Sequence, residues 1–144
     1  MFKNIAVAYD GHPESIRAFR RALELAKMLG ISLKVLTIAE PLPAYTAFSV
    51  AGDSSAIRTL EQDRQAFYED LIRRAANEGN AEGIEVSAHT LEGNIVQAVT
   101  EFVGEHDVDL LVVGLHRRAL RISSLWSMVY SLAQDLTCSV LGVH

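Results

Sequence analysis

The residues with the clearest capacity for ligand chemistry follow the apolar run 109–114, which ends at Gly114. A loop between a strand and a helix binds phosphate when its backbone amides approach the oxygens closely, and glycines allow that approach. Here the loop has one glycine, where such loops usually have several, and it is followed by four cationic or titratable side chains: His116, Arg117, Arg118 and Arg121. Guanidinium groups grip anions through bidentate pairing, but such clusters are also often solvated or paired with carboxylates across a dimer. Both interpretations stay open.

Three further residues have a chemical and a structural interpretation. Asp10 follows the first apolar run and either contacts a ribose or base edge or caps the turn at Gly11. Ser127 lies in the first turn of a predicted helix, where it either donates to a phosphate or is simply exposed. Trp126 either stacks on a base or packs in the core or at a subunit contact, and packing is the interpretation we favour.

The remaining reactive side chains do not form a recognisable catalytic or metal set. Cys138 is the single cysteine and is expected to be an inert thiol at the start of a buried strand. The five histidines show no metal-binding spacing, and no Ser-His-Asp or Cys-His set is identifiable. We therefore expect a protein that is not an enzyme and that holds no metal.

Composition narrows the class of protein. A chain of 144 residues, 49% hydrophobic and 22% charged, predicts one compact domain over residues 1–144. Its net charge of -5 argues against binding to nucleic acid or an anionic membrane surface. No apolar run approaches the roughly 18 to 20 residues that span a bilayer, so we expect no membrane insertion. The lone cysteine and the absence of signal-peptide architecture at the amino terminus indicate a reducing cytoplasm.

Hydrophobic periodicity predicts the elements that must position these residues. Near-continuous apolar runs predict buried strands over 5–9, 33–39, 110–113 and 139–143, and alternation predicts a half-solvated edge strand over 84–90. Helical spacing predicts helices over 13–29, 56–79 and 95–105, the last capped by Asn94, with Leu60, Phe67, Leu71 and Ala75 on one face of the second. A last helix capped by Ser123 or Ser124 should turn inward Leu125, Val129, Leu132, Ala133 and Leu136. The segment 41–55 is predicted to be a loop.

The alternation of strands and helices predicts an α/β fold: an open five-stranded parallel sheet with helices on both faces. A polar strand 84–90 belongs at an edge, which favours the strand order 3-2-1-4-5. Ligands bind such sheets beyond the carboxyl ends of the strands, at the point where the strand order reverses. That point would bring Asp10 and Gly114 into one crevice.

The chain resembles the universal stress protein family over essentially its whole length. The matching segments are 7–11 after the first strand, 36–41 closing the second, 92–93 before the third helix, 107–114, and 137–141. They occur in the order and at nearly the spacing of that family. The resemblance implies a Rossmann-like fold of the adenine nucleotide alpha hydrolase type.

ATP-binding members of the family carry G-x-x-G, nine residues and then G-[S/T], and the glycine amides and final hydroxyl hold phosphates. On this chain the first glycine is Gly114, the second position holds Arg117, and the third holds Trp126, followed by a matching Ser127. The gap between Arg117 and Trp126 is eight residues, one fewer than in the pattern. At the adenosine end, the resemblance places Asp10 as the acidic residue and Ile38 as a main-chain adenine contact.

The resemblance implies a regulatory stress-response protein with a degenerate nucleotide loop and no canonical ATP binding. It also implies a homodimer formed through the final strand 139–143, acting on a regulatory protein partner that the sequence does not identify. The alternative is a nucleotide-sensing module that binds ATP or AMP through Asp10, Ile38, Gly114 and Ser127 with the cluster at His116 and Arg117, and weak hydrolysis stays open. A third interpretation is an interaction module whose partner recognises the loop 41–55.

Overall fold

A computed structural model describes residues 1–39, 53–115 and 125–144, with the backbone alone at 125–129. Its strands are β1 (Ile5–Ala8), β2 (Leu33–Ala39), β3 (Val86–Glu92), β4 (Leu110–Gly114) and β5 (Ser139–Val143). Its helices are α1 (Pro13–Leu29), α2 (Ser54–Ala81), α3 (Ile95–Glu105) and α4 (Leu125–Asp135). Strands and helices therefore alternate along the described chain, as the periodicity predicts.

The five strands form one parallel sheet in the order β3-β2-β1-β4-β5, which confirms the predicted order. Ile5 of β1 pairs with Leu33 on one side and with Leu110 on the other, so β1 lies at the centre. The polar strand β3 lies at one edge and β5 at the other. The prediction that 139–143 is buried is wrong, because three of the five residues of this edge strand are exposed and the others are half-buried. The strand order reverses between β1 and β4, and a ligand crevice is expected beyond their carboxyl ends.

The side chains of β1 point alternately into two cores, one on each face of the sheet. Ile5 and Val7 pack with α1 and α2, whereas Ala6 packs with α3 and α4. Phe19 of α1 is fully buried in the first core. Phe102 of α3 is 3% exposed in the second. Helices therefore cover both faces, as a buried parallel strand requires.

Four strand boundaries differ from the prediction. β3 ends at Glu92 rather than residue 90, and β4 ends at Gly114 rather than residue 113, because pairing with the neighbouring strand continues through those residues. At the other two boundaries, nearby turns use the terminal residues. β1 ends at Ala8 rather than Tyr9, although the Tyr9 amide still donates to the Leu36 carbonyl at 2.8 Å. β3 begins at Val86 rather than residue 84, because the Ile84 amide donates to the Gly79 carbonyl at the end of α2. Alternation identifies the edge strand but not the residue where pairing begins.

The predicted buried face of α2 is wrong in its amino-terminal half. Leu71 and Ala75 are buried, but Leu60 is 36% and Phe67 is 55% exposed. Leu71 packs at the level of Gly11, just beyond the end of β1, so the residues before it extend past the sheet. Helical spacing shows which residues share a face, but the length of the sheet decides how much of that face is covered.

Several helix ends and faces can be compared with the prediction. Asn94 caps α3, since its side chain accepts from the Gln97 amide at 3.1 Å. Asp53 caps α2, so the predicted loop 41–55 ends earlier, and residues 40–52 lie outside the described chain. The predicted caps Ser123 and Ser124 also lie outside it. Leu132 of α4 and Leu136, just after its end, are buried as predicted, but Ala133 is exposed. The side chains of Leu125 and Val129 lie outside the described structure.

Candidate ligand site at the switch point

A cavity of about 350 Å³ opens at the carboxyl ends of β1 and β4. Its lining includes Asp10, Ile38 and Gly114, which the sequence places on three different strand ends. Apolar side chains such as Leu111 and Val113 form much of its wall. Small-ligand sites are commonly clefts of roughly 300 to 1,000 Å³ with apolar walls and a few polar groups. The cavity therefore has the size and character of a site for a small ligand.

Asp10 lies at the cavity and also organises the turn that leads into α1. Its Oδ1 accepts a hydrogen bond from the His12 amide at 2.9 Å and lies 3.2 Å from His12 Nδ1. The Asp10 amide donates to Ser15 Oγ at 3.2 Å, and that hydroxyl donates to the His12 carbonyl at 3.0 Å. The turn-capping interpretation is therefore observed, and the carboxylate remains exposed at the cavity.

The pKa of Asp10 favours the charged carboxylate. Desolvation acts to raise its pKa, but hydrogen bonds from Ser15 and His12 outweigh this effect and hold it below its ordinary value. At neutral pH the group is an acceptor only, so it suits hydroxyl or N–H donors on a ligand.

Gly114 meets the first turn of α1 at very close range. A Cβ on Gly114 would lie 2.5 Å from the carbonyl carbon of Glu14, 2.6 Å from its oxygen and 2.8 Å from the Ser15 nitrogen. All three are backbone atoms, so no side-chain rotation could relieve the contact. Packing between β4 and α1 is thus sufficient to require glycine here, whatever the loop binds.

Ile38 lies at the carboxyl end of β2, where hydrogen bonds tie this strand to β1. It pairs in register with Leu91, and its half-buried side chain lines the cavity. The neighbouring Thr37 hydroxyl, which is buried, donates to the Tyr9 carbonyl at 3.2 Å. The strand that carries Ile38 is therefore hydrogen-bonded to the chain just before Asp10.

Tyr9 lines the cavity and precedes Asp10 in the chain. Its ring is 6% exposed and lies 5.3 Å from the Phe19 ring, and burial raises the pKa of its hydroxyl. The hydroxyl thus remains protonated at neutral pH.

The other predicted site residues cannot be placed beside this cavity. His116, Arg117, Arg118 and Arg121 lie outside the described residues. Ser127 falls near the start of α4, as predicted, but the described structure there is backbone alone, and the same holds for Trp126. The structure thus brings together the predicted nucleoside end of the site, while the phosphate end stays a prediction.

Most of the lining was not predicted, and the polar or aromatic residues that the sequence reasoning missed include His12, Ser15, Phe67 and Tyr68. Ser15 had a usable signal, because a serine a few residues after a strand-end Asp often bonds to the turn. Phe67 and Tyr68 come from α2, far along the chain, and their place at the cavity depends on where α2 crosses the sheet. No local pattern reports that position.

The other candidates for chemistry are consistent with structural roles. Cys138 is half-buried and has a free thiol, and burial raises its pKa, which disfavours the reactive thiolate. Among the described residues no three His, Cys, Asp or Glu side chains are grouped so that they could hold a metal ion. No helix in the described ranges is long and apolar enough to cross a membrane.

Comparisons with known proteins identify relatives over the whole chain. The model of the universal stress protein family matches residues 1–144. The chain is 28% identical over 144 residues to universal stress protein A homolog 1 of Coxiella burnetii, covering 99% of this chain and 96% of that protein. A universal stress protein solved in complex with cAMP superimposes with a TM-score of 0.70 at 24% identity, covering 99% and 97% of the two chains. An Arabidopsis thaliana family protein with AMP bound gives 0.71 at 17% identity, covering 98% and 90%.

Proposed function

The chain belongs to the universal stress protein family, and we propose that it is a regulatory stress-response protein that acts as a homodimer without the family's canonical ATP grip. The observation that carries this proposal is the close packing of Gly114 on α1, where an added Cβ would lie 2.5 Å from the Glu14 carbonyl carbon. Because packing alone requires that glycine, its presence is no evidence of a phosphate contact. The other two motif glycines are replaced by Arg117 and Trp126. A non-enzymatic role is part of this proposal.

Dimerisation is proposed to occur through β5. Among the described residues this strand pairs with β4 on one side only, and its Leu141 is 38% exposed. Edge strands tend to pair with further strands unless they are protected, and symmetric pairing of two β5 strands would close both edges. Size-exclusion chromatography with light scattering should give a dimer.

A pair of surface variants tests where the dimer forms. Leu141→Lys places a charge on the edge strand β5 and should shift the population to monomer. Met28→Lys, at an exposed position of α1, should not. A wild-type protein that is only monomeric would contradict the dimer, and an unchanged Leu141→Lys dimer would contradict this location.

A second candidate function is the sensing of an AMP-class nucleotide, and the cavity favours it. The cavity is open beside Asp10, bounded by Ile38, and walled by apolar residues that suit a planar base. The ionised Asp10 carboxylate would accept from ribose hydroxyls or a base N–H. Such a ligand needs the nucleoside end of the site and depends less on a triphosphate grip.

Equilibrium titration calorimetry with ATP, AMP, cyclic AMP and a buffer control separates the two functions. The first predicts no saturable ATP binding and no phosphate release from ATP. The second predicts saturable AMP binding that weakens in Asp10→Asn, a variant that keeps the side chain's shape and one acceptor oxygen but removes its charge. Micromolar ATP binding that is lost in Ser127→Ala would contradict the first proposal, because Ser127 is the matching phosphate hydroxyl of the motif.

A further inference from the structure

The amino-terminal half of α2, which extends past the end of the sheet, brings aromatic side chains to the cavity. A Cβ on Gly11 would lie 2.7 Å from Leu71 Cδ2, so α2 crosses the carboxyl edge of the sheet in direct contact with the turn that follows β1. Phe67 lies about one helical turn before Leu71, and Tyr68 is its neighbour. Both line the cavity that also contains Asp10.

Phe67 is exposed but is not isolated. Its side chain is 55% exposed, whereas large aromatic side chains usually contribute 150 to 250 Å² of buried area. Its ring lies 5.4 Å from the Tyr68 ring at 74°, an edge-to-face contact. Tyr68 is half-buried against the first core, and the Arg64 guanidinium carbon lies 5.8 Å from its ring centroid. Phe67 thus rests on the half-buried Tyr68 and keeps an exposed aromatic surface.

The position of Phe67 distinguishes it from the other exposed apolar residues of α2. Ile57 is 38% and Leu60 is 36% exposed, but neither is part of the cavity lining. A protein partner docking along α2 would use all three residues, whereas a small ligand in the cavity would use Phe67 alone. Continuity with Asp10 and Ile38 therefore favours the ligand.

We infer that Phe67, supported by Tyr68, is the wall of the cavity that selects a planar aromatic base, while Asp10 accepts from the donor groups of the same ligand. This inference rests on the second candidate function, the binding of a nucleoside monophosphate. The ligand class is a planar heterocycle that carries hydroxyl or N–H donors. Any nucleobase can stack its flat face on an aromatic side chain, whatever the arrangement of its ring nitrogens. Removing the aromatic side chain weakens binding by about tenfold or more.

The test measures the affinity of AMP, adenosine and ribose 5-phosphate for the full chain and its variants by calorimetry. Phe67→Ala and Phe67→Leu should each weaken AMP and adenosine about tenfold, whereas Phe67→Tyr should retain their affinity. Leucine keeps the apolar character and loses the ring, so its failure to substitute identifies stacking. Ile57→Ala is the matched control and should bind as the wild type does. Ribose 5-phosphate, which has no base, should respond to none of these variants.

The outcomes separate the inference from the function on which it rests. If the wild type binds neither AMP nor adenosine, the second candidate function is wrong and the inference falls with it. If the wild type binds both and Phe67→Leu binds equally well, the function stands and the aromatic wall is wrong. If Phe67→Leu shifts the protein from dimer to monomer and leaves the affinity for AMP unchanged, a second copy of the chain covers Phe67 instead. Circular dichroism checks that each variant folds, which is expected because Phe67 is largely exposed.

Discussion

Replacing Gly114 with alanine should destabilise the protein far more than one methyl group usually does. The new Cβ would meet backbone atoms of Glu14 and Ser15 at 2.5 to 2.8 Å, so β4 and the first turn of α1 must separate. Overpacking a core typically costs about 1 to 3 kcal/mol, and contacts with backbone fall at the upper end because no rotamer relieves them. We therefore expect a loss of about 3 kcal/mol in the free energy of unfolding.

Gly104 offers the matched control, because the same substitution there should have the opposite sign. Gly104 lies in α3, is exposed, and would have nothing within 4 Å of an added Cβ. Alanine is favoured over glycine in a helix by about 0.5 to 1 kcal/mol, so Gly104→Ala should stabilise by that amount. For a chain of this size, the melting temperature should fall by about 10 °C in Gly114→Ala and rise by about 2 °C in Gly104→Ala.

Urea unfolding followed by circular dichroism measures both variants against the wild type. A shifted midpoint with an unchanged slope reports stability alone. A Gly114→Ala midpoint equal to that of the wild type would refute the close packing of β4 on α1, and a phosphate contact would again be the simplest reason for this glycine. The separation of α1 from β4 in Gly114→Ala also matters for binding studies, because a shift of α1 moves the turn at Asp10. Loss of nucleotide binding in a Gly114 variant is therefore not evidence of a phosphate contact.

Two further predictions follow from the cited contacts. Burial, followed by the charges of His106 and Lys34, lowers the pKa of His89 below its ordinary 6.5, so the unfolded chain binds that proton more readily. The contribution of His89 to stability is thus complete above about pH 6.5 and is lost as the pH falls through the lowered folded pKa. Urea titrations of the wild type from pH 8 to pH 5 should show this loss of stability. An equally steep loss in His89→Gln would contradict the prediction. Asp53 accepts from the Ala56 amide at 3.1 Å, so Asp53→Ala should destabilise the first turn of α2, whereas Asp53→Asn should retain the cap. Because this end of α2 overhangs the sheet, the destabilisation should appear as faster amide exchange in its first turn, and unchanged exchange would refute the capping role.

The fold could be predicted because each buried strand is a short apolar run with a clear end. The buried strand 33–39 has the bounds that its run indicates, and so does 139–143, although that strand is an exposed edge. The alternation around Val86 and Ala88 identifies the edge strand, and that one placement selects the strand order. These are local signals about burial, and burial in a parallel sheet follows directly from the architecture.

The features that local signals missed all depend on distances between distant segments. The exposure of Phe67 depends on where α2 passes the end of the sheet, and the start of β3 depends on the bond from the Ile84 amide to Gly79. The packing role of Gly114 depends on how closely α1 approaches β4. A family pattern assigns such a glycine to phosphate binding, but its presence here has a sufficient cause in the fold.

Evidence for a ligand therefore has to come from residues whose type the fold does not require. Gly114 fails this criterion, and Asp10 meets it only in part, because its carboxylate already accepts from the His12 amide. A single exposed aromatic is ordinary on a protein surface. Phe67 is informative because its exposed ring belongs to the lining of the cavity and rests on a half-buried Tyr68. Within the described chain the strongest indication of a ligand thus lies on α2, in a residue that the family motif does not include.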